Sequence, residues 1–296
     1  MGTERYSRAV YNTYADSHAL HSATREQVFA SRHLNQALDP KKVTVRESCD
    51  SEANPRSTPI ILGLDVTGSM GFIAETIAKD GLPKLMEGIY EQMPVTDPHL
   101  MFMGIGDAAA HDEAPLQVSQ FEAGALPLIE QLRELWLEGG GGGNHCESYN
   151  LPWHFAAHKT AIDCYTKRGE KGYLITIGDE MPPEPLSATA LKHVLGSGQY
   201  GSAKSLKEEL DEVSKMYKVF HIIAEQGNYA SMRKEQVRDA WVKVLGPNVI
   251  NLRDHRYLPQ IVIAMLKIAN GADISAVIHE SEHKDELRYA FSNAVE

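Results

Sequence analysis

Cysteine is scarce in this sequence. The chain has 296 residues and only three cysteines, Cys49, Cys146 and Cys164, and no two of them form a CxxC pair. Such sparse cysteines exclude a small disulfide-stapled domain, and the missing CxxC pairs exclude the common cysteine-rich zinc motifs. We therefore expect reduced thiols in a chain whose stability comes from a hydrophobic core, which its 43% hydrophobic residues can fill.

Long hydrophobic runs are missing as well. No stretch approaches the roughly 20 consecutive apolar residues that a membrane-spanning helix needs. The first 18 residues, MGTERYSRAVYNTYADSH, are polar and contain no apolar segment of the kind found in secretory signals. The sequence therefore predicts no membrane association and a cytoplasmic location.

Positive charge is in deficit, with a formal net charge of −11. Residues 1–58 contain 8 Lys and Arg against 7 Asp and Glu, whereas the rest of the chain contains 21 against 33. An acidic surface repels phosphate backbones and attracts cations, so a nucleic-acid partner is not expected. Solubility alone explains the acidity equally well.

The chain divides by its patterning into three parts. Residues 1–57 form an N-terminal arm, for which we predict one or two short helices within residues 1–40, around 24–38, and a strand over residues 41–47. Residues 58–270 form the main domain. Residues 271–296 are polar and predict a C-terminal helical tail.

Within the main domain, strand patterns alternate with helix patterns. Strands are predicted over 60–64, 100–107, 115–121, 173–179, 218–225 and 248–252, and helices over 82–89, 128–136, 153–165, 205–217, 231–245 and 257–269. Pro83 predicts a kink or break in the first helix, and the glycine run that begins at Gly139 is expected to end the second. This alternation predicts an α/β fold, a Rossmann-like open and mostly parallel sheet with helices on both faces.

The segment IILGLDVTGSMG, residues 60–71, is the most informative stretch. Its apolar run is typical of a strand buried on both faces, and Asp65 stands at the carboxyl end of that strand. A tight turn, which Gly68 permits, directs Asp65, Thr67 and Ser69 toward a common centre. A carboxylate and two hydroxyls offer only oxygen ligands, which favours Mg²⁺, with Mn²⁺ or Ca²⁺ as alternatives.

Two later loops supply further oxygens at the same edge of the predicted sheet. Asp179 follows the strand YLITIG, so it is expected beside Asp65 because the carboxyl ends of parallel strands meet at one edge. The glycine run Gly139–Gly143 is followed by Asn144, Glu147 and Ser148. The glycines let the backbone pass close to a metal ion.

These motifs resemble the von Willebrand factor A (VWA) domain with its metal-ion-dependent adhesion site (MIDAS). The family motif D-x-S-x-S is matched by DVTGS at residues 65–69, with Thr in place of the first Ser. Some intracellular members carry GGGD-x-x-E, which GGGN-H-C-E resembles here, so that Asn144 and Glu147 take those positions. The Asp after a central strand is matched by Asp179. The order of the motifs fits residues 58–269.

The resemblance implies a Mg²⁺ site with an open coordination position that a carboxylate of a partner protein completes. Its metal residues would be Asp65, Thr67, Ser69, Asn144 and Asp179. Supporting or partner-binding residues would be Gly68, Asp107, Gly143, His145, Glu147, Ser148 and Glu180. Intracellular members work in multiprotein assemblies, some with AAA+ ATPases, and the resemblance implies such a role here. The sequence leaves open whether the protein forms a homo-oligomer.

Two other readings stay open. The first is a metal-free scaffold with the same fold, which the missing loop Thr of the family favours. The second is a Mg²⁺-dependent phosphatase-like hydrolase with Asp65 as the nucleophile. Enzymes of that kind need a second acid two residues later, where this chain has Thr67.

Two further motifs are incomplete and do not predict a function. His154 and His158 have the spacing of zinc proteases, but Phe155 replaces the glutamate that such a helix needs. The glycine run lacks the GKS or GKT of a P-loop, which argues against nucleotide binding. We expect neither a catalytic zinc nor a bound nucleotide.

Overall fold

The computed structural model describes residues 2–110, 112–140, 145–198, 200 and 203–295, with the side chains of Ser69 and Val295 left out. The strands are β1 (Arg46–Ser48), β2 (Thr58–Asp65), β3 (Pro98–Ile105), β4 (Leu116–Val118), β5 (Thr160–Ile162), β6 (Gly172–Gly178), β7 (Tyr217–Ala224) and β8 (Val249–Leu252). The helices are α1 (Arg8–Ser17), α2 (Arg25–Val28), α3 (Gly71–Thr76), α4 (Leu82–Gln92), α5 (Ala125–Arg133), α6 (Leu151–Lys159), α7 (Asp163–Arg168), α8 (Ala188–Leu195), α9 (Leu206–Val213), α10 (Asn228–Leu245), α11 (Leu258–Ala269), α12 (Ile274–Glu280), α13 (Lys284–Ala290) and α14 (Ser292–Val295).

The described strands form one large sheet in the order β4-β3-β2-β6-β7-β8, and β1 pairs separately with β5. Every neighbouring pair in the large sheet is parallel except β3 and β4, which are antiparallel. The chain leaves β2 for β3 on one side and later returns to β6 on the other. The carboxyl end of β2 is therefore a topological switch point, the usual binding crevice of such sheets.

Both faces of the sheet are covered by helices. Ile60, Leu62 and Leu64 of β2 pack into one hydrophobic cluster, together with α1, α4, α5 and α11. Ile61 packs into a second cluster on the other face, with α6 and α10. Because successive side chains of a strand point to opposite faces, a continuous apolar run requires this double cover. The predicted Rossmann-like α/β fold, with an open and mostly parallel sheet, is confirmed.

The kink or break predicted at Pro83 corresponds to an irregular, π-helical segment before α4, and its surroundings explain how it is tolerated. A π-helical segment, Ile77–Gly81, precedes Pro83. Proline has no N–H, so the carbonyl four residues earlier, that of Lys79, loses its helical partner. The Tyr11 hydroxyl donates to the carbonyl oxygens of Ala78 and Lys79 at 2.7 and 2.6 Å. The arm therefore satisfies backbone groups that the kink exposes.

The arm differs from its predicted local structure. Helix α1 lies upstream of residues 24–38, around which the short helices of the arm were expected; Ser7 caps it, and Tyr11 and Ala15 form its buried stripe. The helix expected within residues 24–38 is confined to α2. The strand expected over 41–47 is confined to β1 at its end, and a 3-10 turn that the Asp39 side chain caps takes its beginning.

Two helices of the main domain are shorter than predicted. The helix expected over 153–165 is interrupted by β5, since the β-branched Thr160 and Ile162 pair with β1 instead. The helix expected to run to the glycine run ends at Arg133. Beyond it, the Gln117 side chain holds the backbone of Trp136 in both directions, donating to its carbonyl oxygen and accepting from its N–H.

The C-terminal tail is helical, as predicted, and consists of α12, α13 and α14. No helix within the described residues is long and apolar enough to cross a membrane.

Candidate metal centre

Three acidic residues stand at neighbouring strand ends. Asp65 is the last residue of β2, Asp107 lies two residues beyond β3, and Asp179 follows β6 directly. β2 pairs in parallel with both β3 and β6, so these ends meet at one edge of the sheet. The sequence-based expectation that Asp65 and Asp179 lie at the same rim agrees with this topology.

Asp65 is fully buried and accepts hydrogen bonds at both carboxylate oxygens. Its Oδ1 accepts from the backbone N–H of Thr67 at 2.9 Å and from the Thr67 hydroxyl at 2.6 Å. Its Oδ2 accepts from the Tyr149 hydroxyl at 2.8 Å. These bonds hold the turn after β2 in one shape, with Thr67 only 6% exposed.

Tyr149 is a site residue that the sequence did not reveal. Its ring is fully buried and packs edge-on against His221 and Trp241, with ring centroids 5.0 and 5.6 Å apart. Its hydroxyl donates to Asp65 and accepts from the backbone N–H of Glu180 at 3.4 Å. Tyr149 therefore joins the β2 loop to the β6 loop. No motif marks it, because the contact depends on tertiary packing.

Asp179 is anchored by the N-terminus of α10. Its Oδ2 accepts from the backbone N–H of Tyr229 at 2.8 Å, and only 4% of the residue is exposed. A Cβ atom at Gly227, the residue before the helix, would lie 2.3 Å from that same oxygen. Glycine at this position lets the helix N-terminus, with its partial positive charge, approach the carboxylate.

Described residues on either side of positions 141–144, Gly140 and His145, contact this centre. The backbone N–H of Gly68, a residue with φ +38°, donates to the carbonyl oxygen of Gly140 at 2.9 Å. Beyond the run, the His145 carbonyl accepts from the N–H of Met181 at 3.1 Å, and the His145 ring stacks on Tyr229. Gly143 and Asn144, which the sequence places between Gly140 and His145, lie outside the described residues.

The segment after the run closes the centre on the side of β3. The N–H of Ser148 donates to the carbonyl of Gly106 at 3.1 Å, and the Ser148 hydroxyl accepts from the N–H of Ala108 at 3.0 Å. The Ser148 hydroxyl also donates to Asp107 Oδ1 at 3.4 Å. Ser148 therefore positions Asp107, and the Glu147 side chain is buried beside them, with 2% exposure.

The buried carboxyl groups favour protonation when no cation is present. Burial, assisted by the charge of Asp179, raises the pKa of Asp65, although its hydrogen bonds from Thr67 and Tyr149 oppose the shift. Burial also raises the pKa of Asp179. The charge of Asp179 adds to the cost of ionising Asp65.

Two glutamates add to this accumulation of negative charge. Burial and the charge of Asp65 raise the pKa of Glu147 well above its ordinary value. Burial and the charges of Asp65 and Asp179 raise the pKa of Glu180 to about 7. The Oε2 atoms of both glutamates are buried and have no hydrogen-bond partner within the described part of the chain.

This chemistry fits a hard cation. Within the described residues, no three His, Cys, Asp or Glu side chains form a cluster with metal-ligand geometry. The expected site does not need one, because two of its ligands are hydroxyls. Mg²⁺ prefers oxygen ligands, and this centre offers only oxygens, among them buried carboxylate oxygens that have no partner within the described residues. The residues present therefore fit Mg²⁺.

The stability of the metal-free protein should decrease as pH rises from 6.5 to 8. A carboxyl group with a raised folded-state pKa contributes stability that is complete below its unfolded pKa and is lost as pH rises through the folded value, here near 7 for Glu180. Burial lowers the pKa values of His99 and His154 to about 4, so these residues add stability mainly between pH 4 and their ordinary value near 6.5 and oppose the decrease only at the lower edge of this window. Urea unfolding in EDTA at each pH measures the effect. A constant or increasing free energy of unfolding would contradict it.

Comparisons with known proteins give no family. No protein-family model matches the chain, and no curated protein sequence matches it. Similar solved structures include two of the pilus adhesin SpaC from Lactobacillus rhamnosus GG, one of them in an open conformation, at 11% and 13% identity and a TM-score of 0.46 in both cases. Each comparison covers 75% of this chain and 31% of the adhesin chain, so this chain spans about a third of the adhesin's length. A similarity this weak carries no argument about function.

Proposed function

We propose that this chain is a VWA-type interaction module that binds Mg²⁺ at the carboxyl ends of β2 and β6 and, through that ion, a carboxylate of a partner protein. One observation carries the proposal. The Asp65–Thr67 turn and the Asp179 loop are joined by the Tyr149 hydroxyl, in a buried centre of carboxylates. Such a centre is expected to bind a divalent cation because a buried, unbalanced negative charge is costly.

The roles of the residues follow from their hydrogen bonds. The Thr67 hydroxyl donates a hydrogen bond to Asp65. The lone pairs of the Thr67 oxygen therefore stay available for an ion. We assign direct metal contacts to Thr67 and Ser69, contacts partly through water to Asp65 and Asp179, and the loop position to Asn144. When bound, the ion would supply an open coordination position for an external anion.

Binding is favoured over catalysis at this site. A phosphatase of the aspartyl type would need Asp65 to present a free oxygen to its substrate. Both oxygens of Asp65 instead accept hydrogen bonds inside a fully buried side chain. Asp65 is therefore better suited to orienting hydroxyl ligands than to attacking phosphorus.

The partner is defined here only by its chemistry, a protein that presents an accessible Asp or Glu side chain. Membership of a cytoplasmic multiprotein assembly, with an AAA+ ATPase as one candidate component, extends the proposal. The affinity of the partner would depend on the ion, because without it the partner's carboxylate would be repelled by the carboxylates of this centre.

Calorimetric titration tests the metal, and a pull-down tests the partner. We expect the purified protein to bind Mg²⁺ or Mn²⁺ in the micromolar to millimolar range, and Mg²⁺ to retain proteins that EDTA releases. The absence of heat at millimolar concentrations of Mg²⁺, Mn²⁺ and Ca²⁺ would favour the metal-free scaffold.

A further inference from the structure

A cavity of about 500 Å³ lies at the end of the sheet opposite to the metal centre. Its walls are the amino-terminal halves of β7 and β8 together with residues of α9, α10, α11 and the C-terminal tail. The lining is predominantly apolar and includes Leu210, Leu245, Met265, Ile268, Ile274 and Phe291. A cavity of this size with an apolar lining is typical of a small-molecule site.

Two lysines line the same cavity. Lys171 directly precedes β6 and Lys218 is the second residue of β7, the neighbouring parallel strand, so both stand at one edge of the sheet. Lys171 Nζ donates to the Ser214 carbonyl oxygen at 2.6 Å. Lys218 Nζ donates to the Ala269 carbonyl oxygen, also at 2.6 Å. Ser214 and Ala269 line the cavity too, so both ammonium groups are held at its wall.

Neither lysine forms an ion pair with a carboxylate of the described residues. The lysines that do so are Lys79, Lys167, Lys204, Lys207 and Lys234. Burial and the charge of Lys171 lower the pKa of Lys218, so an anion beside both would relieve their repulsion. An ammonium group has three N–H donors, and Lys218 uses at most two of them, on Ala269 and Asn270. Both lysines therefore keep a donor for a ligand.

We propose that this cavity binds an aliphatic carboxylate of the fatty-acid type, with its chain against the apolar lining and its carboxylate between Lys171 and Lys218. The charge favours an anion, because a chain with a net charge of −11 here presents two lysines without a carboxylate partner among the described residues. The lining favours an aliphatic chain, since every methylene removed from water stabilises the complex. The site is separate from the metal centre, at the other end of the strands.

Calorimetric titration of the full chain with hexanoate, octanoate and decanoate, each below its micelle concentration, tests the proposal. EDTA in the buffer excludes any contribution from the metal centre. We expect saturable binding whose affinity rises about fourfold with each added methylene. Octanol, which has the chain of octanoate without its charge, should bind more weakly. No saturable binding of decanoate at millimolar concentrations, or equal affinities for octanol and octanoate, would overturn the proposal.

Lys218→Met tests the position of the carboxylate, because methionine keeps an unbranched side chain and removes the charge. It should lower the affinity for octanoate roughly tenfold, as loss of a hydrogen bond to a charged group does. The affinity for octanol should stay unchanged, which a merely structural role of Lys218 would not explain. Lys215→Met is the matched control, since Lys215 is exposed three residues away and is not part of the cavity lining. Equal losses in the two variants would show that only the net charge matters and would overturn the proposal.

Ala269→Phe tests the position of the aliphatic chain. Ala269 is half-buried in the cavity wall, and a phenyl ring there would fill the space that the chain needs, while the backbone carbonyl that Lys218 uses remains. Octanoate and octanol should both lose affinity, with an unchanged circular dichroism spectrum. Wild-type affinities in this variant would contradict the proposal. A dimer in analytical ultracentrifugation that Ala269→Phe dissociates, without decanoate binding, would assign the cavity to a second copy of the chain instead.

Discussion

Asp65→Asn should abolish Mg²⁺ binding at millimolar concentrations while the protein stays folded. The amide keeps the shape of the side chain and one acceptor oxygen for the Thr67 N–H and hydroxyl, which lie at 2.9 and 2.6 Å from Oδ1. It removes the negative charge that orients the hydroxyl toward the carboxylate and attracts the cation. Titration calorimetry measures the loss of binding, and circular dichroism measures the fold.

The same substitution should raise the thermal midpoint of the metal-free protein above pH 7. Burial and Asp179 disfavour the charged form of Asp65, so a neutral amide avoids a cost that the ionised carboxylate carries there. Asparagine is a sharper probe than alanine at this position. Alanine would leave the Tyr149 hydroxyl and the Thr67 N–H buried without their acceptor, and the resulting loss of stability would obscure the loss of metal.

Asp211→Asn is the control for this experiment. Asp211 is exposed on α9, where it pairs with Lys207, and its charge lies outside the acidic centre. Its replacement should leave both Mg²⁺ binding and the thermal midpoint close to wild type. Wild-type Mg²⁺ affinity in Asp65→Asn would show that Asp65 has no part in binding the ion.

The sheet and the strand-end acids could be predicted because they depend on local patterns. The apolar run before Asp65 and the strand before Asp179 mark buried parallel strands, and parallel strands bring their carboxyl ends to one edge. The positions of Asp65, Thr67 and Asp179 follow from that rule alone. Their roles as metal ligands stay predictions.

The missed features depend on contacts between distant parts of the chain. Tyr149 contributes because its ring packs in the core and its hydroxyl reaches across to another loop, which no local pattern records. Tyr11 contributes because its hydroxyl donates to the carbonyl oxygen of Lys79, which Pro83 leaves without a helical partner, 68 residues away in sequence. The break at Thr160 arises because β1 offers a pairing partner that outweighs helix propensity.

The burial of Glu147 became visible only in the fold. In the sequence it is one acid in a polar loop, where solvent would normally surround it. The fold buries it among other acids and leaves Oε2 without a hydrogen-bond partner among the described residues. A residue that breaks the usual rules of burial is a good candidate for a functional role.

Gly178→Ala should destabilise the protein by about 1–3 kcal/mol, the range observed for overpacking a filled core. A Cβ atom at Gly178 would lie 2.1 Å from the Tyr149 hydroxyl oxygen and 2.4 Å from two ring carbons. The ring cannot easily retreat, since it is fully buried against His221 and Trp241. Urea unfolding at constant pH measures the change in free energy of unfolding.

The substitution should also weaken Mg²⁺ binding, because displacing the Tyr149 ring withdraws its hydroxyl from Asp65. Gly71→Ala is the matched control, since it adds the same methyl near the same loop. Its Cβ would lie 3.2 Å from Arg25 Cδ and from Leu137 Cδ1, which belong to side chains that can shift, and Gly71 already has helical dihedral angles. We expect Gly71→Ala to change stability by less than about 1 kcal/mol, because helices favour alanine over glycine by roughly that amount. Comparable destabilisation by the two substitutions would mean that the close packing of Gly178 on Tyr149 has no special importance for the fold.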